Sequence, residues 1–530
     1  MCDMQLYSLF FLIFLIITIA VYYLAGRIAP RFQWTVLLMA SLVFYAYSGI
    51  SHLAFIMVTA AATWACGLFF ARFNQQYKEQ KKLPGLDHEA KKKLKVICQK
   101  KKRVVLLLGL LCCFGVLGYL KYWNEIIGMF RLSELVRFKS HILLPLGISF
   151  YTFQATGYLI DTYNGKYEPE RNFAKYLLFV SFFPQLIQGP INRFDALAVQ
   201  LYEKHSLKYE NFQRAFLVIG FGIMKKYAIA DSLAGSISKI FDTTNPDIPG
   251  SVVVFGILLY SVQQYMDFSG GIDMVLGIAQ LFDIHMTPNF RQPYFSVSLA
   301  DFWRRWHITL GQWMRDYVFY PFALTSLMQK FGKWAGKHLG KHMGRTLPAC
   351  VANLLVFFIV GLWHGAAMHN ILWGLYNGAV IAASDLLAPA FNGISNRLHL
   401  RTESKGFYVF RILRTFLIVN VGWYFDRIIN PGYCLICFRN TFVNFRADLF
   451  MRVLRGYNMN YLLRPYAFAL TGCILVFVVS VLKERKIDVE GVLIRQKTLF
   501  RLVLYTGVIM LVLWSFVFTT PTGGFMYAAF

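Results

Sequence analysis

The amino-acid sequence predicts an all-α, polytopic membrane protein with about 11 to 13 transmembrane or re-entrant helices, and three observations predict it. Of 530 residues, 57% are hydrophobic and only 15% charged, a balance too apolar for the cores of a soluble chain to absorb. Apolar stretches near the roughly 20 residues needed to cross hydrocarbon recur from end to end. The 54 Lys and Arg, against 27 Asp and Glu, gather between those stretches, where the positive-inside rule and anionic headgroups account for them. In a soluble chain such an excess points to nucleic acid. Here it points to membrane lipids, and no nucleic-acid partner is expected.

The first apolar stretch, 6–25, has nothing basic before it and is long enough to span, so it reads as a retained anchor rather than a signal peptide. Further spans follow at 34–48, 53–70, 104–123, 143–160, 177–191 and 216–230. Then come 252–282 (one or two crossings), 351–387 (two, or a broken pair), 407–423, 466–482 and 502–519. Residues 1–530 therefore read as a single membrane domain, without the internal repeat that marks many secondary transporters. Between positions 72 and 103 stand twelve Lys or Arg against three acidic residues, which assigns that loop to the cytoplasm. The basic stretches 330–345 and 483–501 follow by the same rule, and 283–350 reads as a cytoplasmic or re-entrant region. Three spans precede the first basic loop, so the N-terminus falls outside. One span follows the last, so the tail 520–530 also emerges outside.

The nine cysteines lie mostly in or beside apolar spans. Cys434 and Cys437 form a lone C-x-x-C with no second pair to complete a zinc site, so no metal is expected.

Two segments carry polar groups suited to chemistry. Residues 299–320, LADFWRRWHITLGQWMRDYVFY, are too basic to cross lipid, yet Trp303, Trp306, Leu310, Trp313 and Tyr317 recur at helical spacing. The segment is expected to lie in the interface or dip inward, with Asp301 capping the helix start. Arg304, Arg305 and Arg315 supply planar donors for phosphate or carboxylate. An interfacial anchor of Trp and Arg has the same pattern. In 351–378, VANLLVFFIVGLWHGAAMHNILWGLYNG, the midway polar groups are His364, His369 and Asn370. His364 stands thirteen residues beyond Val351, about 20 Å along a helix, deep in lipid. A polar ring there is costly unless partnered, and imidazole is suited to taking and returning a proton near neutral pH. The alternative is a structural His bonded to a neighbouring helix. Gly361, Gly365 and Gly374 allow close backbone approach or a helix break.

Other signals are weaker. His338 and His342 are spaced as on one helix face but sit among lysines, as on a solvated basic face. Asp267 and Asp273, in the run DFSGGID, place two carboxylates in an apolar segment, either for function or to fix a helix break.

These motifs resemble the membrane-bound O-acyltransferases, in particular the bacterial branch containing the alginate O-acetylation and teichoic-acid D-alanyl transfer proteins. The resemblance covers most of the chain. It rests on LPLGISFYTFQATGYLID (144–161), FVSFFPQLIQGPI (179–191), GIMKKYAIAD (222–231), QQYMDFSGGIDM (263–274), NFRQPYFSVSLADFWRRWHITLGQWMRDYVFYP (289–321) and GLWHGAAMHNILWG (361–374). It implies helices around a central funnel or tunnel in a bacterial inner membrane. His364 takes the catalytic position and His307 the second motif position. The implied reaction passes an acyl group, acetyl in the alginate-like branch, from a cytoplasmic thioester donor (acetyl-CoA or an acyl carrier protein), with no bound cofactor, toward an envelope or exported polysaccharide. His364 would act as base, while His307, with Arg304 or Arg305, would polarise the thioester carbonyl or hold a donor phosphate. Trp303, Trp306, Asp301, Arg315, Asn370 and Asp267 are candidate donor- or substrate-binding residues. The final residues Phe525-Met-Tyr527-Ala-Ala-Phe530 look like a terminal motif thought to accept the acyl group on its tyrosine. Tyr527 would then hand it to an extracytoplasmic esterase-like (SGNH-type) partner. D-Alanyl transfer to teichoic acids, a precursor flippase and a scaffold for envelope enzymes are the alternatives.

Overall fold

The computed structural model describes residues 6, 8–84, 86–129, 145–456 and 463–518, and among them the regular structure is helical throughout, with no strand. Among the described residues, six helices are long and apolar enough to cross a membrane: Leu9–Ile28, His52–Lys81, His88–Trp123, Lys341–His364, Tyr466–Glu484 and Thr498–Ser515. A seventh is counted if Met368–Leu386 and Ala388–Arg397, bent by 54° at their junction, form one span. Large apolar side chains stay exposed along these helices, among them Ile16 and Ile17 at 57% and Leu111 at 70%. Belts of that size are not tolerated in water and are what lipid contact requires. The chain is a multi-pass membrane protein.

The chain divides into two compact units, Met1–Ala215 with Val275–Thr287, and Phe216–Met274 with Pro288–Phe530. The first packs its long helices around an aromatic core that includes Tyr22, Tyr45, Tyr151, Tyr158, Tyr176 and Phe179. Some of its buried polar groups pair across elements. The Tyr176 hydroxyl lies 2.7 Å from Thr63 Oγ1, and Gln33 both donates to the His205 carbonyl and accepts from the His205 N–H. Several expected crossings take shorter forms here. Segment 143–160 becomes the 17-residue helix Ile148–Asn164, buried along almost its whole length. Segment 177–191 becomes two pieces, Phe173–Ser181 and Phe183–Gln188, broken just before Pro184. At 9 and 6 residues neither reaches across hydrocarbon.

The basic stretch 72–103, expected as a loop, is helical in its described residues except at 82–84 and 86–87. Lys and Arg are good helix formers, so the helices His52–Lys81 and His88–Met129 simply run on through their basic ends.

Segment 252–282 falls almost wholly in one 31-residue helix, Gly250–Gln280, that runs unbroken through Asp267-Phe-Ser-Gly-Gly-Ile-Asp273. The two glycines are therefore not a helix break, and Gly270 serves packing. A Cβ on Gly270 would meet the Gly222 carbonyl at 2.8 Å, and one on Gly222 would meet the Gly270 carbonyl at 2.6 Å. Just after Gly222, residues Met224–Asp231 form a π-helical stretch. Such a stretch rotates side chains away from their α-helical directions, and here it turns the consecutive Lys225 and Lys226 toward the same neighbouring helix.

Candidate functional site

The segment 299–320 is not one helix, as its periodicity suggested. It comprises Leu299–Arg305, Ile308–Met314, a π-helical stretch Arg315–Phe319 and the turn Tyr320–Ala323. The break is at His307, whose φ of 47° and ψ of 53° are left-handed, uncommon for a residue with a side chain. A preceding loop holds that conformation: the Ile308 N–H donates to the Asn289 carbonyl at 3.0 Å, and the Arg291 N–H to the Arg305 carbonyl at 2.9 Å. The helix cap is also different from expectation. Ser298, not Asp301, caps Leu299–Arg305 by accepting from the Asp301 N–H. Asp301 instead accepts from the N–H of Val297, the residue before the cap.

His364 is the last residue of the helix Lys341–His364. The expected broken pair is found, with its break at 365–367 before Met368–Leu386; His364 thus closes a helix rather than sitting midway along one. The two helices pack closely because of glycine. A Cβ on Gly361 would come within 2.5 Å of the Asn370 carbonyl oxygen, and one on Gly374 within 2.3 Å of the Phe357 carbonyl oxygen. Neither backbone obstacle can swing aside. Gly374→Ala is therefore expected to cost about 1–3 kcal/mol through overpacking and to lower the unfolding temperature of the detergent-purified protein. Gly393→Ala, where a Cβ meets nothing within 4 Å, serves as the control. Buried Asn370 lies under this turn, its Nδ2 facing the position a Cβ of Gly365 would occupy.

Aromatic rings join the two histidines. Trp363 is in ring contact with His307 at 6.0 Å and with His364 at 4.8 Å between centroids. His364 also meets Trp373 edge-on at 4.9 Å, and Trp373 meets Trp303 at 5.4 Å. Trp303 is oriented by its Nε1–H, which donates to Asn377 Oδ1 at 3.1 Å. On the other side His307 meets Phe268 edge-on at 4.9 Å, and Trp306 packs among Phe290, Phe302 and Trp423. Both imidazoles are buried. Burial in this apolar setting pushes His307 down from its ordinary value to about 3, so its ring is neutral at physiological pH.

The charged candidates divide. Arg305 is buried and committed to carboxylates, with Nε 3.2 Å from Asp301 and Nη1 2.9 Å from Glu484. Arg304 and Arg315 are exposed, at 71% and 55% of their side-chain surface, and Arg315 is paired to Asp316 at 3.0 Å. Asp267 is buried against Lys226, which also donates to Asp231 at 2.9 Å. Asp273 pairs with Lys225 at 2.7 Å, so each carboxylate of the run meets one of the consecutive lysines. Exposed His338 and His342 hydrogen-bond main-chain carbonyls. Tyr527 lies outside the described residues.

Sequence reasoning overlooked Asn289, Trp363, Trp373, Glu484 and the lysine pair. Lys225 and Lys226 were visible as charges inside an apolar segment with Asp231 five residues on, a pattern that marks a buried ion pair. Nothing local to Asn289 distinguishes it.

The sequence profile of the MBOAT, membrane-bound O-acyltransferase family, matches residues 170–421, which include His307 and His364. The probable alginate O-acetylase of Pseudomonas syringae pv. tomato is 34% identical over 425 residues, covering 78% of this chain and 70% of that protein. The peptidoglycan O-acetyltransferase of Helicobacter pylori is 33% identical over 356 residues, 62% of this chain and 63% of that one. The teichoic acid D-alanyltransferase of Bacillus subtilis is 26% identical over 285 residues, 53% of this chain and 67% of that one. With a polytopic helical fold and both motif histidines inside the matched region, this chain belongs to the membrane-bound O-acyltransferase family and is an O-acyltransferase.

Proposed function

We propose that this protein, in a bacterial inner membrane, passes an acetyl group from a cytoplasmic thioester donor, acetyl-CoA or an acyl carrier protein, to the outer face for O-acetylation of an envelope or exported polysaccharide. The observation that carries the reading is the pair of buried imidazoles, His307 and His364, both in ring contact with Trp363. Acetyl is favoured over D-alanyl because the relatives above 30% identity are named for O-acetylation, while the D-alanyl relative stands at 26%.

In this reading His364 takes the proton from an acceptor hydroxyl as its oxygen attacks the thioester carbonyl carbon. The C–O bond forms, the C–S bond breaks, and the imidazolium returns its proton to the departing sulfur. Exposed Arg304 suits a donor phosphate better than Arg305, whose guanidinium already faces two carboxylates. The acceptor is Tyr527 on the outer tail or a hydroxyl of the polymer itself. A phenol, of pKa about 10, leaves more readily than a sugar hydroxyl, so a tyrosyl ester can pass its acyl group onward through an extracytoplasmic esterase-like partner.

Mass spectrometry of envelope polymers from cells with and without the protein tests the reading. Polysaccharide-linked acetate is expected to disappear on deletion. Loss of D-alanine esters instead would transfer the chain to the teichoic reading, and unchanged esters with a halted precursor would make it a flippase. Tyr527→Phe removes one hydroxyl only; if the relay operates, it abolishes labelled acetate on the purified chain and on the polymer together.

A further inference from the structure

Beside His307 lies a buried side chain with no assigned role. Asn289 is fully buried, with 0% of its surface exposed. Its Oδ1 accepts from the Thr309 N–H at 3.0 Å and from the Thr309 hydroxyl at 2.9 Å, and it stands 3.3 Å from His307 Nδ1.

The Thr309 main-chain group settles which end of the amide is which. A backbone N–H can only donate, and an amide NH2 cannot accept. The atom facing Thr309 N is therefore the oxygen, and that same oxygen faces His307 Nδ1. Carbonyl oxygen is acceptor only, so Nδ1 must carry a proton to make the contact. A neutral imidazole has one N–H, which leaves the lone pair on Nε2. The reversed amide would set NH2 against a backbone N–H.

Other features fit an orientation chosen for Oδ1. Asn289 Nδ2 is buried without a hydrogen-bond partner among the described residues, a cost of about 1–3 kcal/mol that the flipped amide would only move onto the Thr309 N–H. The Asn289 carbonyl meanwhile accepts from the Ile308 N–H. One residue thus holds the main chain on the far side of His307 and the ring itself, and so over-determines the left-handed backbone between them.

We propose that Asn289 is a positioning residue that fixes His307 in the tautomer whose Nε2 bears the lone pair. Resting on the reading of His307 as part of the acyl-transfer site, this deepens it. A neutral His307 so held offers the reaction a hydrogen-bond acceptor, able to orient an acceptor hydroxyl or a thiol proton. It does not polarise a thioester carbonyl, which needs an N–H at Nε2.

The test is the 15N spectrum of the full-length protein, labelled with [15N]histidine and held in lipid nanodiscs, with the His307 signals identified by their loss in His307→Asn. A protonated Nδ1 and an unprotonated Nε2 are expected. The opposite tautomer, or a doubly protonated ring, overturns the proposal whatever the activity. Asn289→Leu, which removes the acceptor, is expected to shift the ring toward mixed tautomers and to lower acyl transfer at least roughly tenfold, chiefly in kcat. Asn289→Asp, which keeps an acceptor at the same place, is expected to keep the tautomer and recover most of that loss. An unchanged tautomer in Asn289→Leu overturns the proposal, and if that variant does not fold, the wild-type spectrum still decides. If the tautomer is as expected but His307→Asn transfers acyl groups normally, the positioning by Asn289 stands and the role of His307 in transfer falls.

Discussion

His364→Ala is expected to lower polysaccharide acylation by about 10²- to 10⁴-fold, the range over which a positioned acid–base group acts, with the amount of membrane-inserted protein unchanged. The reason is chemical as much as positional. His364 closes its helix where the chain breaks at Gly365 and makes T-shaped ring contacts with Trp363 and Trp373. In that setting few side chains are available to shuttle a proton between an attacking oxygen and a leaving sulfur. Alanine also opens space in the ring cluster, so His364→Gln is the sharper variant: it keeps a polar side chain of similar reach but cannot take up a proton. Equal losses in the two variants assign the effect to proton transfer, while activity in the glutamine variant within about tenfold of wild type would remove His364 from the role of base. The assay is acetate released by mild base from polymer, normalised to immunodetected protein.

What the sequence made legible follows from what each signal measures. A histidine inside an apolar run is conspicuous because its burial is expensive, so His364 stood out, and the glycines around it announced the break now found at 365–367. Hydrophobic periodicity is a weaker witness. The spacing of Trp303, Trp306, Leu310, Trp313 and Tyr317 reads smoothly through His307, because an average over several turns is insensitive to one residue in the left-handed region. Charge likewise says that 72–103 is basic without saying that it is helical. Asn289 and the pairings of Lys225 and Lys226 with Asp273 and Asp267 span 18 residues or more of sequence. They depend on register between segments, which no local pattern carries.

Lys226→Leu is expected to destabilise the protein by about 3–5 kcal/mol, the cost of breaking a buried ion pair from one side, against a typical total of about 5–15 kcal/mol. The Lys226 ammonium serves both Asp231 and Asp267, and the three side chains are exposed by only 3%, 3% and 1%. Leucine fills a comparable volume, so the loss is electrostatic: two buried carboxylates remain without their cation. Lys225→Leu is the milder change, because the Asp273 side chain it leaves is 26% exposed and water can solvate it. Thermal unfolding in detergent should therefore rank wild type above Lys225→Leu and that above Lys226→Leu; equal midpoints for the last two would mean that burial is not what sets the cost. Replacing all three of Lys226, Asp231 and Asp267 by leucine is expected to recover much of the stability, since an apolar substitute for a whole buried pair is often neutral or better. The recovered variant separates two purposes for the network. Asp267 directly precedes Phe268, whose ring meets His307 edge-on at 4.9 Å, so the ion pair pins one wall of the ring cluster as well as joining two helices. If the triple variant is stable but transfers acyl groups poorly, the charges are retained for the placement of that wall; if it is stable and active, they serve the packing of the helices alone.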